Sequence, residues 1–355
     1  MDDKLPDMQY RVLGRTGLRI SVIGFGGWLT SPGGRVDRET AFECIKKAYD
    51  AGVNFFDTAE GQPSAMSETF VGQAIKRFGW KQKDLIISTK IFEGSATSNR
   101  PRNAPNTKSL ARKHIFEGMD ASLRRLDLPY VDVVYARKPD LKTTPIEEIV
   151  RAFNDVVKSG KAIYWGTYDW SEPEITEAIE YAEAQNLVGP AVDQPEYNLL
   201  ARARVHHEYV PLLPWCLYGM TTHSPLRKGI LTGKYNIVTA PPPGSRQAES
   251  RAKFIEEYRE SFGDESWDKD LPKVEKLKGV SRELGVSLAQ LSIAWTLKNE
   301  DIACVITGAS REDQVVETIK SLEVLPRLTA AVITQIKLAS GNNTTQYSTS
   351  SEASR

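Results

Sequence analysis

Ionisable side chains recur where short apolar runs of the chain end. Asp57 lies in the run NFFDTA, Lys90 in LIISTKI and Arg137 in VDVVYARK. If these runs are parallel strands, their carboxyl ends meet at one edge and bring the three side chains together. A carboxylate beside an ammonium group can be a structural ion pair, or it can polarise a catalytic proton donor. The residue types leave both alternatives open.

Further candidate residues lie where the later runs end. They are Tyr168, Asp169, Gln194, His223, Ser224, Gly308 and Ser310. An imidazole can gain and lose a proton near neutral pH, so His223 is a candidate acid as well as a candidate stacking ring. Tyr168 is either a proton donor or a ring that fills space.

The apolar runs alternate with amphipathic stretches and predict the fold. They cover residues 22–27, 54–59, 85–91, 131–138, 162–169, 190–198, 217–225 and 301–310. Many are continuously apolar, which is typical of strands buried on both faces of a parallel sheet. The alternation favours an α/β fold of the (β/α)8 TIM barrel type over an open doubly wound sheet. No Gly-x-Gly-x-x-Gly turn follows the first run, which also weakens the open-sheet alternative.

Helices are predicted between the runs from apolar spacing and capping residues. The helical stretches are 38–52, 109–126, 144–160, 171–186, 287–299 and 311–322. Ser171 and Glu174 have the spacing of a capping box, and Gly52 and Gly160 mark helix ends.

The remaining segments define the domain organisation. Residues 1–8 are expected to be a flexible N-terminus, with a single domain over 9–338 whose first part, 9–20, is a β-hairpin capping the barrel bottom. Residues 226–272 are expected to form a long functional loop after the seventh strand. The polar, low-complexity segment 339–355 is expected to be a disordered tail.

The composition argues against several classes of function. The chain has 46 Lys and Arg against 46 Asp and Glu, so no basic excess favours nucleic acid. No apolar run is long enough for membrane insertion, and the first residues lack a signal-peptide core. Cys44, Cys216 and Cys304 lie far apart without metal-site spacing. We therefore expect a cytoplasmic protein with reduced thiols, no metal and no nucleic-acid partner.

Several motifs resemble the aldo-keto reductase superfamily. They are Asp57-Thr58-Ala59-Glu60-Gly61, Ser88-Thr89-Lys90-Ile91, Trp165-Gly166-Thr167 and Ser224-Pro225-Leu226. The stretches ARKHIFEG, YVDVV, YWGT, LTGKY and VITGAS are most similar to the branch of voltage-gated potassium channel β-subunits and their fungal and plant relatives. The resemblance covers residues 9–338. It implies the barrel fold, NADP(H) as cofactor, a small-molecule substrate and, from the channel branch, a homo-oligomer.

The resemblance also implies four catalytic residues. A tyrosine donates a proton, a lysine paired with an aspartate lowers the tyrosine pKa, and a histidine orients the carbonyl. Asp57 and Lys90 stand at the aspartate and lysine positions, but Gln62 stands at the tyrosine position and Arg137 at the histidine position. A glutamine amide gives up no proton near neutral pH and arginine stays charged, so the implied acid is missing. Arg137 can still stabilise an oxyanion or bind an anionic substrate.

The nucleotide groove that the resemblance implies is partly altered. Tyr168 replaces a serine that holds the nicotinamide carboxamide, and His223 replaces a tryptophan. Arg227 and Lys228 are either extra cations beside the pyrophosphate path or a solvated loop pair. The other candidate cofactor contacts are Trp28, Asp57, Asp169, Gln194, Ser224, Pro225, Leu226, Lys234, Arg246, Gly308, Ser310, Gln314 and Glu317.

Three functions stay open from the sequence. The first, which we expect, is an NADP(H)-dependent oxidoreductase of a carbonyl or alcohol, with Tyr168, His223 or a water as proton source. The second is a non-redox isomerase, dehydratase or cyclase of specialised metabolism that uses the charged residues of the barrel mouth. The third is a catalytically idle, nucleotide-binding regulatory subunit. The retained groove residues favour the first and third, and the changed catalytic positions favour the second.

Overall fold

The barrel is seen in a computed structural model that describes residues 4–27, 36–61, 65–92, 106, 108–139, 141–212, 219–235 and 251–341. Its strands are β1 (Tyr10–Val12), β2 (Arg19–Ser21), β3 (Ile23–Gly26), β4 (Phe55–Asp57), β5 (Ile86–Ile91), β6 (Val131–Arg137), β7 (Ala162–Tyr168), β8 (Val192–Gln194), β9 (Gly219–Thr222) and β10 (Ile302–Thr307). Strands β3 to β10 pair in parallel and in chain order, and β10 closes on β3. The predicted (β/α)8 TIM barrel is confirmed, and each predicted run contains one barrel strand.

Helices surround the barrel. They are α1 (Arg38–Asp50), α2 (Ala65–Phe78), α3 (Arg112–Leu126), α4 (Ile146–Lys158), α5 (Glu172–Ala184), α6 (Arg251–Phe262), α7 (Ser266–Glu283), α8 (Leu288–Lys298), α9 (Glu312–Ile319) and α10 (Ala330–Ala339). Capping fixes several starts: Asp37 accepts from the Thr40 amide, and Ser287 and Gln290 form a capping box before α8. Each predicted helical stretch contains one of these helices.

The sequence patterns do not predict α2, α6, α7 or α10. Residues 226–272 are therefore a loop only in part, because α6 and the start of α7 lie within them. Phe254 and Tyr258, one turn apart on α6, lie 5.6 and 5.7 Å from Trp267 between ring centroids. This aromatic contact stabilises α6 against α7 although half of the residues of α6 are charged. Residues 236–250 lie outside the described residues.

The N-terminal hairpin closes the bottom of the barrel. Strands β1 and β2 pair antiparallel, as the sequence predicts. Leu13 and Ile20 are fully buried in the cluster of side chains that fills the barrel interior. Gly14 has a φ of +52°, and a Cβ there would lie 2.4 Å from the amide nitrogen of Gly219, where β9 begins. This close approach requires glycine and seats the hairpin against the strand starts.

The C-terminal part of the described chain packs on the barrel. Helix α10 ends at Ala339, and Arg202 Nη2 donates to Ser340 Oγ at 3.0 Å. Residues 1–3 of the predicted flexible N-terminus and 342–355 of the predicted tail lie outside the described residues.

Arg11 fastens the hairpin to the end of α8. Its guanidinium donates to the main-chain oxygens of Leu297, Asn299 and Ile302 at 2.8, 3.1 and 2.5 Å. We expect Arg11→Met to lower the free energy of unfolding by about 2–4 kcal/mol, because it leaves these carbonyls without a charged donor. Urea denaturation measures the change. The control is Arg15→Met, which changes an exposed residue of the same hairpin. An equal fall in the free energy of unfolding of both variants would contradict the role of Arg11.

Candidate active site

The mouth of the barrel contains an ion pair between Lys90 and Asp57. Asp57 ends β4 and Lys90 lies near the end of the adjacent β5, so parallel pairing brings both side chains to the same end of the barrel. Lys90 Nζ donates to Asp57 Oδ2, and the two side chains are only 13% and 9% exposed. Lys90 also donates to the main-chain oxygen of Thr58 at 3.1 Å. The two residues therefore converge as their positions at the strand ends suggest.

The other oxygen of Asp57 is held by neighbouring strands. Ser88 Oγ and Gln194 Nε2 donate to Asp57 Oδ1 at 2.7 and 3.2 Å. Gln194 also lies 3.4 Å from Thr221 Oγ1, which shares a hydrogen bond of 3.0 Å with the Tyr135 hydroxyl. Ser88, Thr221 and Tyr135 escape prediction because each lies inside an apolar run rather than at its end. These three residues could have been found from the alternation of side chains along a strand, because every second residue faces the barrel interior.

Burial lowers the pKa of Lys90, because desolvation disfavours an ammonium ion. The Asp57 carboxylate opposes this shift by its charge and its hydrogen bond, whereas the neighbouring Arg137 guanidinium adds to it. The charge of Lys90 therefore depends on Asp57. Removing either partner would leave an uncompensated charge in a buried place.

Tyr168 lies between the cations and His223. Its ring centroid is 5.7 Å from Lys90 Nζ and 5.9 Å from Arg137 Cζ. The ring stacks on His223 with 4.8 Å between centroids and 17° between planes. Burial raises the pKa of Tyr168, the Asp169 carboxylate adds to the shift, and Arg137 opposes it. The phenol is therefore a weaker acid than an ordinary tyrosine, which favours the interpretation of Tyr168 as a ring that fills space.

His223 lies between Asp169 and Ser224. Its Nε2 is 3.1 Å from Asp169 Oδ2, and its Nδ1 is 3.1 Å from Ser224 Oγ. Arg204 Nη1 donates to Asp169 Oδ1, also at 3.1 Å. Arg204 was not predicted as a site residue because it lies in a π-helical turn, Arg204–Glu208, well beyond the end of β8. Asp169 and Ser224 both have left-handed backbone, with φ of 58° and 53°.

The cations of the loop after β9 have partners within the chain. Arg227 donates to Glu196 at 3.1 Å, Tyr258 at 2.8 Å and Asp270 at 3.1 Å. Its guanidinium lies 4.0 Å from the ring centroid of Phe262 at the end of α6. Lys228 donates to Ser261 on the same helix. These contacts hold α6 and α7 against the mouth, so a bound phosphate would compete with acidic residues for Arg227.

The remaining candidate cofactor contacts lie at the same end of the barrel. They are Gln194 on β8, Ser224, Pro225, Leu226 and Lys234 after β9, Gly308 and Ser310 after β10, and Gln314 and Glu317 on α9. The Ser310 amide and hydroxyl donate to Gln314 Oε1 at 2.8 and 3.2 Å. Lys234 Nζ lies 5.0 Å from the ring centroid of Tyr235. Trp28, Gln62 and Arg246 lie outside the described residues.

Asp193 is a buried acid that the sequence patterns do not single out. Thr167 Oγ1 donates to its Oδ1 at 2.6 Å. The Tyr209 hydroxyl lies 2.8 Å from Asp193 Oδ2 and 2.6 Å from the carbonyl of Trp170. Burial raises the pKa of Asp193 to about 7, against the hydrogen bonds of Thr167 and Tyr209. Protonated Asp193 lets Tyr209 give its hydrogen to the Trp170 carbonyl, which can only accept.

Across the described ranges, no group of three or more His, Cys, Asp or Glu side chains is arranged to hold a metal ion. Nor does any helix there have the length and apolarity needed to cross a bilayer. Cys44 and Cys304 are buried free thiols, and Cys216 lies outside the described residues.

Comparisons with a family model and with individual proteins agree with each other. Residues 22–340 match the model of the aldo/keto reductase family. Two proteins named "Probable voltage-gated potassium channel subunit beta", from Oryza sativa subsp. japonica and Arabidopsis thaliana, are each 47% identical over 330 residues, 93% of this chain and 96% of the relative. A Schizosaccharomyces pombe protein named as the same kind of subunit is 42% identical over 330 residues, 93% of this chain and 92% of its own length.

Asp193 is expected to make folding depend on pH. Its pKa is raised from near 4 in the unfolded chain to about 7 in the fold, so its contribution to stability is full below pH 4 and is lost as the pH rises through 7. The part of the free energy of unfolding that Asp193 contributes should fall by about 2 kcal/mol between about pH 5.5 and pH 8.5. In urea titrations, the free energy of unfolding of Asp193→Asn should change less with pH than that of the wild type. The control is Asp120→Asn, which changes a half-exposed carboxylate. Parallel curves for wild type and Asp193→Asn would contradict this.

Proposed function

The chain belongs to the aldo/keto reductase family, and from this premise we propose that it is an NADP(H)-dependent oxidoreductase acting on the carbonyl or alcohol of a small molecule. Membership of the family supports oxidoreductase chemistry. The observation that carries the finer proposal is the buried pair of Lys90 and Asp57 at the mouth, with Arg137 close by. The positive charges of Lys90 and Arg137 would stabilise a carbonyl oxygen that gains negative charge at the mouth.

The residues of the mouth fit NADP(H) with one restriction. Amide, hydroxyl and ammonium donors of the kind that bind carboxamides and phosphates lie at the end of β8 and beyond the ends of β9 and β10. Gln194, Ser224, Lys234 and Ser310 would hold the cofactor there. The stacked rings of Tyr168 and His223 have their centroids 4.8 Å apart. A third ring inserted between them would need a centroid separation of about 7 Å, because each of its two stacking contacts takes about 3.5 Å. A nicotinamide ring therefore has to lie outside this pair.

The bound cofactor would supply or accept the hydride. Lys90 and Arg137 would stabilise the oxygen of the reacting carbonyl, since both are cations beside the Tyr168 ring. The Arg137 guanidinium could also bind the carboxylate of an anionic substrate, because it offers a planar pair of charged donors.

A nucleotide-binding subunit without turnover is the second candidate. Two curated relatives at 47% identity are named as potassium channel β-subunits, which favours this alternative. The raised pKa of Tyr168 also favours it, because that phenol is a poor replacement acid. Such a protein would bind NADPH tightly and would not oxidise it with any carbonyl.

We expect the purified full-length chain to bind NADPH at least about tenfold more tightly than NADH, because the additional phosphate offers charge-assisted hydrogen bonds to cations of the groove. Tryptophan fluorescence and thermal shift measure the two affinities. Ser310→Ala should weaken the binding of both nucleotides. The control is Ser159→Ala, which changes an exposed residue at the end of α4 and should leave both affinities unchanged. Failure to bind either nucleotide would contradict both candidate functions.

Removal of the ion pair tests the reductase proposal directly. We expect the double variant Lys90→Met with Asp57→Asn to lower kcat/KM for NADPH-driven reduction of a small aromatic aldehyde by at least about 100-fold. Because both charges are removed, no uncompensated carboxylate remains to unfold the chain. The surface variant Lys161→Met is the control. Circular dichroism checks the fold, and full activity in the folded double variant would contradict the role of the pair.

A further inference from the structure

Arg137 stands at the very end of a barrel strand. It is the last residue of β6, so the chain leaves the sheet directly after it. The pairing of β5 with β6 stops at Ala136, whereas the pairing of β6 with β7 reaches Arg137. Among the described strands, the main chain of Arg137 is therefore paired only on the β7 side. The position of this residue depends on contacts outside the sheet.

The indole of Trp170 supplies such a contact from the loop after β7. Its Nε1 donates to the main-chain oxygens of Ala136 and Arg137 at 2.9 and 3.1 Å, so one hydrogen is shared between two acceptors. The Trp170 side chain is fully buried, so little water can compete for these bonds. The indole therefore fixes the last two carbonyls of β6.

The turn that carries Trp170 is itself held in place. Asp169 has left-handed backbone with a φ of 58°, which few residues other than glycine adopt without cost. Its carboxylate accepts from Arg204 Nη1 at 3.1 Å and from the Glu196 amide at 3.2 Å. Contacts from the π-helical turn and from the end of β8 thus hold the conformation that folds the indole back over β6.

Tyr209 holds Trp170 from its main chain. The Tyr209 hydroxyl donates to the main-chain oxygen of Trp170 at 2.6 Å and lies 2.8 Å from Asp193 Oδ2. Thr167, directly before Tyr168 on β7, donates to the other oxygen of Asp193 at 2.6 Å. A buried network of hydrogen bonds therefore joins Trp170 to β7 and β8.

The side chain of Arg137 lies against two aromatic rings. Its Cζ is 6.0 Å from the ring centroid of Phe92 and 5.9 Å from that of Tyr168, close enough for cation–π attraction. Phe92 follows β5 and Tyr168 ends β7, so the rings come from the strands on either side of β6. The charge of Arg137 also acts on Lys90, whose pKa it lowers.

Both rings have anchors of their own. The Phe92 amide donates to Glu60 Oε1 at 2.6 Å, and His114 Nε2 lies 2.9 Å from the same oxygen. The Tyr168 ring stacks on His223. A shift at the end of β6 would therefore move the guanidinium relative to rings that stay in place.

We propose that Trp170, held by Tyr209, is a positioning residue for Arg137: its indole N–H fixes the end of β6, which keeps the guanidinium against Phe92 and Tyr168. Trp170 is fully buried and acts through Arg137, not on a ligand. Its effect on turnover rests on the proposed reductase function, in which Arg137 stabilises the carbonyl oxygen. A misplacement of about 1 Å in a catalytic group can cost about 100-fold in rate, so an anchor outside the mouth matters for turnover.

NMR of the full-length chain without cofactor tests the anchor. Loss of one Nε–H resonance in Arg137→Met identifies that of Arg137. Protons over a ring face resonate at higher field, so we expect Trp170→Phe to move this resonance to lower field, toward those of exposed arginines. The matched control is Trp165→Phe, also on a fully buried side chain, whose indole donates to the main-chain oxygen of Val188 at 2.8 Å. It should leave the Arg137 resonance unmoved.

Two results of this measurement would overturn the proposal. One is an unmoved Arg137 resonance in folded Trp170→Phe. The other is an equal movement in Trp165→Phe, because loss of any buried indole N–H would then suffice. If Trp170→Phe does not fold, Tyr209→Phe takes its place, since it removes the hydroxyl that holds Trp170 and keeps the indole. We expect a smaller movement in the same direction, and no movement would overturn the proposal.

Turnover then tests whether Trp170 acts through Arg137. We expect Trp170→Phe to lower kcat for NADPH-driven reduction of a small aromatic aldehyde by at least about tenfold, with KM changed by less than about twofold. Trp165→Phe should keep a kcat close to that of the wild type. In the Arg137→Met background, Trp170→Phe should lower kcat no further, because residues that act through one group are not additive.

Wild-type kcat in folded Trp170→Phe, or an additive loss in the double variant, would overturn the proposal. A wild-type chain that binds NADPH but reduces no aldehyde would instead contradict the proposed function. The Arg137 resonance would still decide whether Trp170 positions Arg137, because that measurement needs no turnover.

Discussion

The buried pair of Lys90 and Asp57 is the constraint that shapes the mouth of this barrel. Two charges with little access to water must be held by other polar groups, and the parallel pairing of β4 with β5 sets their positions. Ser88 and Gln194 satisfy the second oxygen of Asp57. Because these groups come from several strands, closure of the barrel and preservation of the charge pair depend on each other.

The residues around that pair form two different environments. On one side, Tyr168 presents a ring face to Lys90 and Arg137, which screens the cations with apolar surface. On the other side, the same ring stacks on His223, whose nitrogens contact Asp169 and Ser224. One aromatic side chain thus separates the cations Lys90 and Arg137 from the hydrogen-bonded group of His223, Asp169 and Ser224.

Sequence reasoning succeeds where burial leaves a simple pattern. Strands apolar on both faces give continuous runs, so the barrel and the strand-end residues Asp57, Lys90 and Tyr168 were predictable. It fails where tertiary contacts decide: α6 depends on aromatic packing against α7 within a charged segment. Asp193 and Arg204 escape prediction for the same reason, since their importance arises from partners distant in the chain.

The hairpin of β1 and β2 has a consequence for the order of events in the barrel. Among the described residues, Leu13 and Ile20 are buried at the strand starts and Gly14 lies against Gly219, so side chains and backbone fill the bottom of the barrel there. Ligands that use the mouth would then enter and leave at the same end of the barrel. Two ligands bound at different depths would bind in a fixed order, the deeper one entering first and leaving last.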